Sequence, residues 1–181
     1  MIGNKTYNNV INTLKNIGSY HYNITTTTTG DIHDIDLEKN TLFPLMHINP
    51  INVTTGRTQL NYSFQIFIMD LVSQRADWTP DQIQSAAFLN NEQEVLSGTL
   101  QTSIDIISIF RNSVEQSTFN INDINDPVYF AEQEFTIEPF TERFDNLLTG
   151  WVFTLEVQVY NDFQTCEIPV PKTEGGNGLG E

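Results

Sequence analysis

The stretch QLNYSFQIFIMDLV, residues 59–72, decides how the rest of the chain is read. Leu60, Tyr62, Phe64, Ile66 and Ile68 recur at every second position, the period at which side chains share one face of a β-strand. Phe67 and Met69 add apolar bulk to the opposite face. The half from Phe64 onward is therefore expected to be buried on both sides. Immediately upstream, residues 41–53 form a second apolar run, broken by Pro44 and Pro50. Proline donates nothing to a ladder, so this strand is expected to carry a kink or a bulge. Gly56 and Arg57 fall in a turn between the two runs. Together they predict a long antiparallel hairpin.

Working outward, the clearest partner for this hairpin is the last apolar stretch. Trp151, Phe153, Leu155, Val157 and Val159 alternate with Thr154, Glu156 and Gln158. That is a strand with one face on a core and one face wet. Before it, Phe135 and Ile137 mark a half-buried strand over 132–139. Residues 140–150, with Phe144, Leu147 and Leu148, suggest a turn or short helical bend, with Gly150 opening the final strand.

Between the strand groups, residues 91–114 have helical spacing. Val95, Leu96, Leu100, Ile104, Ile107, Ile109 and Phe110 outline a wide apolar face. Gly98 costs this helix about 1 kcal/mol relative to Ala, which suggests close packing against the sheet at that point. A shorter amphipathic helix over 4–17 presents Tyr7, Val10, Ile11, Leu14 and Ile17, with Gly18 placed as its C-cap. The five consecutive threonines from Thr25 to Thr29 favour an exposed or edge strand ending at Gly30.

The connecting stretches are polar. Residues 31–40 form an acidic connection, and 118–131 an Asn/Asp-rich loop turning at Asp126-Pro127. Residues 73–90 form an excursion in which Thr79-Pro80 could open a short helix. The sum is an α+β domain: a largely antiparallel sheet packed against a long helix and an N-terminal helix. Its expected extent is 1–168 as one domain. The Gly/Pro-rich acidic segment 169–181 buries too little to order itself and is expected to be a flexible tail.

Composition narrows the function. The chain has 181 residues, with 8 Lys plus Arg against 23 Asp plus Glu, a net charge of −15. That sign opposes both phosphate-gripping DNA recognition and docking on an anionic membrane. It permits a wall that surrounds a duplex without holding it. Cys166 is the only cysteine, so neither an intrachain disulfide nor a thiolate cluster is possible. No stretch has the length or apolarity of a membrane span, and the start of the chain lacks the pattern of a signal peptide.

Residues that could carry chemistry are few and scattered. His33 stands among Asp31, Asp34 and Asp36, but the spacing fits no metal loop, and a solvated acidic turn accounts for it. His47 alternates with Leu45 and Asn49 on a strand, the place of a partly buried, hydrogen-bonded side chain. Nothing near Cys166 would lower its pKa. The pairs Glu92 and Glu94, Glu132 and Glu134, and Glu138 and Glu142 belong to a charged surface. Arg57, Arg75, Arg111 and Arg143 form no basic stripe, and Arg143 has Glu142, Asp145 or an acid of a neighbouring subunit available for an ion pair. No phosphate loop, dinucleotide fingerprint or nucleophile elbow occurs. The expectation is a non-enzymatic protein with no catalytic, cofactor or metal residues. An enzyme or small-ligand binder would need a pocket that gathers His33 or His47 with carboxylates.

The blocks DIHDIDLEKNTLFPLMHI, FQIFIMDLV, NNEQEVLSGTLQTSIDII and EPFTERFDNLLTGWVFTLEVQV, in that order, resemble a group of tailed-bacteriophage structural proteins. The resemblance runs from about Tyr7 to Cys166, and the group comprises tail terminators, tail-completion proteins and neck proteins. It implies an α+β subunit that assembles, typically as a homohexameric ring, at the head-proximal end of the tail or in the head–tail connector. The implied partners are further copies of the chain, the tail tube, and connector or neck proteins. DNA would pass close by without specific contact, and no membrane would be involved. The implied location is the neck or tail of the virion, after assembly in the host cytoplasm. The Thr25–Thr29 strand and the 73–90 excursion are the candidate contact segments. A baseplate or minor tail protein is the alternative.

Overall fold

The computed structural model describes residues 7–32, 42–56, 59–73, 91–116, 129–131, 134–143 and 147–160. In chain order the elements are α1 (Tyr7–Tyr20), β1 (Thr26–Thr29), β2 (Leu45–Thr55), β3 (Gln59–Leu71), α2 (Glu92–Gln116), β4 (Tyr129–Ala131), β5 (Ile137–Arg143) and β6 (Leu147–Tyr160). The strands form one six-stranded sheet in the order β1-β2-β3-β6-β4, with β5 also paired to β6. Every pairing is antiparallel except β1 with β2. The α+β architecture expected from the hydrophobic periods is therefore the one observed.

The β2–β3 hairpin forms as its alternation requires. Its turn is closed by Gly56 N donating to Gln59 O at 2.8 Å. The register shifts between Pro50 and Asn52, a bulge where proline cannot serve the ladder. On the other side β3 pairs with β6 along its whole length, bringing Phe64 opposite Leu155 and Ile66 opposite Phe153. These residues face α1 and α2 and form the main core, with Val10, Leu14 and Ile17 from α1 and Ile106, Ile107 and Phe110 from α2. Each large apolar side chain so buried contributes on the order of 2–3 kcal/mol. A smaller cluster of Leu45, Phe67, Met69 and Leu148 covers part of the opposite face, with Phe43, Phe140 and Val152 against it.

Five local expectations are corrected. Residues 129–131, placed in the 118–131 loop, form the strand β4 against β6, and the strand expected over 132–139 runs instead from Ile137 to Arg143, where β6 supplies its ladder partners. Gly18 does not cap α1. It lies within the helix, where a Cβ would fall 2.5 Å from Thr27 Oγ1 and 2.8 Å from Met46 Sδ. Glycine there lets α1 lie directly on β1 and β2. Gly98 shows the reverse: nothing stands within 4 Å of where its Cβ would be, so it marks open space and not close packing. Residues 140–150 hold no helical bend among those described. β5 and β6 pair there as antiparallel neighbours, from Ile137 opposite Phe153 to Arg143 opposite Leu147. Gly150 is thus an interior position of β6 and not its start.

The last correction concerns α2. Ile104 and Ile109, assigned to its apolar face, are exposed. The buried stripe instead includes Thr99, Thr102 and Ser103 beside Val95, Ile106, Ile107 and Phe110. Each hydroxyl donates to a carbonyl one turn back: Thr99 to Val95 O at 2.7 Å, Thr102 to Gly98 O at 3.1 Å, and Ser103 to Thr99 O at 2.8 Å. A hydroxyl satisfied within its own helix can be buried without an orphaned donor. A reading based on apolarity alone therefore found Val95, Ile107 and Phe110 but missed the buried hydroxyl residues beside them.

Candidate functional site

The side chains singled out from the sequence do not converge on one centre. His47 is buried on β2, with Nε2 3.0 Å from the Gly30 carbonyl and Nδ1 2.8 Å from Thr28 Oγ1. A carbonyl only accepts, so Nε2 carries the proton, and in the neutral ring Nδ1 accepts from the Thr28 hydroxyl. The imidazole thereby joins β2 to the edge strand β1 and its terminal Gly30, which has a φ of 135°. His21, just after α1, places Nε2 3.5 Å from Asp105 Oδ2 on α2, while its Nδ1 accepts from Asn23 N. Glu92 and Glu94 stand in the first turn of α2, where the helix dipole favours negative charge. His33, Cys166, Arg57, Arg75, Glu132, Asp34, Asp36 and Asp145 lie outside the described residues, as do the 74–90 excursion and the 169–181 tail. Arg143 is described by its strand position on β5 alone.

What the fold does assemble is an extended surface. On the face away from the helices, beyond the small apolar cluster, the ladder is polar. Asn49 and Thr154 flank Gln65, Asn52 and Glu156 flank Ser63, and Thr54 and Gln158 flank Asn61. A trough of about 300 Å3 crosses this face, lined by Glu134, Glu138 and Glu156 with Thr136, Thr154 and Gln65, and by no lysine or arginine among the described residues. It is an acidic, hydrogen-bonding surface with no built-in counter-charge among its lining residues.

The sheet edges are the second feature. β1 covers β2 only from Leu45 to Ile48. From Ile51 to Thr55 the strand is exposed, with Ile51 47% and Val53 49% accessible, and no strand lies on its outer side among the described residues. No residue from Thr41 to Gly56 is Asp, Glu, Lys or Arg, in a chain of net charge −15. Natural edges are often blunted by charge, proline or a bulge; this one carries no charge, and its Pro50 bulge lies only at the start of the exposed stretch. On the opposite edge, β4 pairs with β6 so that Tyr129 meets Val159 and Ala131 meets Val157. Those rows of the ladder continue through Leu60 and Tyr62 to Thr55 and Val53. The two edges, neither with a further strand beyond it here among the described residues, therefore stand level with each other across the sheet.

Sequence reasoning missed the residues that order the helix side of the molecule. Trp151 Nε1 donates to Leu96 O at 2.7 Å, and Ser73 N donates to Asn91 Oδ1 at 2.9 Å. Asp70 was also passed over. It is a lone acid in the apolar run FQIFIMDLV, and that context was the available signal. Burial raises its carboxyl pKa above the usual value, and a bond from Leu71 N lowers it to a smaller extent.

Among the described residues no group of His, Cys, Asp and Glu is arranged to hold a metal ion, and no helix is long and apolar enough to cross a membrane. Compared with known protein families and with curated proteins, the chain matches none.

Proposed function

We propose that the chain is a non-enzymatic virion structural protein, one subunit of a ring at the head-proximal end of a phage tail or in the head–tail connector. The observation that carries this reading is the pair of level, oppositely running sheet edges. β2 and β4 are antiparallel across the sheet, since each step from β2 through β3 and β6 to β4 reverses direction. Copies related by rotation about an axis along the strands keep their strand directions. The free edge of β2 in one copy would then meet β4 of the next in antiparallel register, and repetition closes a cyclic assembly. The uncharged β2 edge lets like-charged subunits approach there. The acidic face suits a surface past which DNA slides, because fixed negative charge repels phosphates.

The test is the mass of the purified protein in solution, alone and mixed with tail-tube or connector proteins, together with electron microscopy of the product. Closed rings, with six copies expected, support the reading. The Val53→Lys variant should disrupt them while leaving a folded subunit, because Val53 is half exposed in the single chain. A strict monomer at high concentration under all these conditions overturns it. Locating the protein at the distal tip of intact particles would favour a baseplate or minor tail role instead.

A further inference from the structure

A cleft of about 570 Å3 opens between the Tyr22–Thr25 segment that follows α1 and the first half of α2. Asp70, Glu94, Val95, Gly98, Thr99 and Thr102 contribute to its walls. The volume is in the range that holds a small organic molecule.

Its polar chemistry is one-sided. Thr25 Oγ1 donates to Phe43 O at 3.1 Å, Thr99 Oγ1 to Val95 O at 2.7 Å, and Thr102 Oγ1 to Gly98 O at 3.1 Å. A hydroxyl whose proton is committed to a carbonyl offers a newcomer lone pairs only. Asp70 Oδ1 already accepts from Leu71 N at 2.8 Å, and its carboxylate retains further acceptor sites. Glu94 adds a second carboxylate. The threonines and acids of the cleft therefore present acceptors and negative charge, with aliphatic surface from Val95 and Pro44 between them. Among the described lining residues, side-chain donors come from Asn23 and Tyr22, both exposed.

A ligand matched to such a lining carries several N–H donors, a positive charge and a short apolar stem. We propose that this cleft binds an organic cation, an ammonium or guanidinium head on an aliphatic chain, either as a free small amine or as the side chain of a lysine or arginine from another protein. The half-buried Asp70 carboxylate gains most from such a partner, because a charge-assisted bond replaces the water it has lost. This inference is independent of ring formation, since it uses neither sheet edge.

Gly98 makes the inference testable. Nothing lies within 4 Å of its Cβ position, so Gly98→Leu starts its side chain in open space at the cleft wall. The experiment is calorimetric titration of the full chain at about 0.15 M salt, which screens diffuse attraction to a protein of this charge. The first probe is agmatine, with N-butylurea as the uncharged control, and the second is a capped tripeptide with a central arginine. Agmatine is expected to bind saturably with a dissociation constant on the order of 0.1–1 mM, and N-butylurea not to bind. Gly98→Leu should abolish binding while its melting temperature stays at or above that of the parent. Asp70→Asn and Glu94→Gln should each weaken it by about tenfold. Agmatine binding more tightly than the tripeptide assigns the site to free amines, and the reverse assigns it to a protein side chain. No saturable binding of either probe overturns the proposal. So does equal binding by N-butylurea, or binding that survives Gly98→Leu unchanged.

Discussion

The indole N–H of Trp151 on β6 donates to the main-chain carbonyl of Leu96 on α2 across 2.7 Å, a contact spanning 55 residues of sequence. It ties the first half of the long helix to the centre of the sheet, where packing alone would leave the helix free to slide along its axis. Trp151→Phe removes the donor and leaves a gap beside Ile68, its partner on β3. The expected loss is about 2 kcal/mol, combining a hydrogen bond with incomplete refilling of space. A urea titration should show a lower midpoint with an unchanged slope.

Two glycines should respond in opposite ways to the same substitution. A Cβ on Gly150 would fall 2.0 Å from Ile68 O and 2.8 Å from Met69 Cα, both backbone atoms of β3. Gly150→Ala must push two central strands apart, and a loss of about 2–4 kcal/mol is expected. Gly98→Ala meets no neighbour and improves helix propensity, so a gain of about 1 kcal/mol is expected. Thermal melts of the two variants side by side check both signs.

His47 and Thr28 should behave as a coupled pair. His47→Leu leaves the Gly30 carbonyl and the Thr28 hydroxyl without their ring partner, at an expected cost of about 2–4 kcal/mol. Thr28→Val removes one bond and should cost about 1 kcal/mol. The double variant should be less destabilised than the sum of the singles, because the second change removes a group the first has stranded. Additive values from denaturant titration would contradict the geometry.

Asp70 gives a pH dependence of defined sign. Its carboxyl is raised by burial, so the folded protein holds that proton more tightly than the unfolded chain does. Ionisation therefore works against folding above the folded-state pKa, and this penalty disappears as pH falls through that value. Asp70→Asn keeps an oxygen to accept from Leu71 N but has no charge to desolvate. At pH 7 the variant should be at least as stable as the parent, with the difference closing as the pH falls toward about 4, the ordinary carboxylate range. Denaturation midpoints at the two pH values measure it.

The strands were legible because their alternation is long and one face of each is apolar. Residues 59–72 and 151–159 could be assigned and paired in one sheet from residue type alone, the first buried on both faces from Phe64 onward and the second with a wet side. The proline bulge and the edge position of the threonine strand followed from backbone chemistry in the same way. The long helix was found from its period, and Val95, Ile107 and Phe110 of its buried stripe with it, but Ile104 and Ile109 proved exposed. Thr99, Thr102 and Ser103 look polar in sequence, and only the local hydroxyl-to-carbonyl geometry makes them fit for burial.

By itself, then, the order of residues determined the two helices, the antiparallel hairpin and the apolar faces of the long strands, but not the short strand at 129–131 or the bounds of β5. The features it determined depend on neighbours along the chain, at periods a sequence displays directly. The tertiary structure alone decided that Gly18 and Gly150 mark close approach while Gly98 marks a void, that Trp151 meets Leu96, and that the free edges of β2 and β4 stand level. Each of these is a distance between segments far apart in the chain. Such distances are set when two helices and six strands pack together, and no local pattern encodes them.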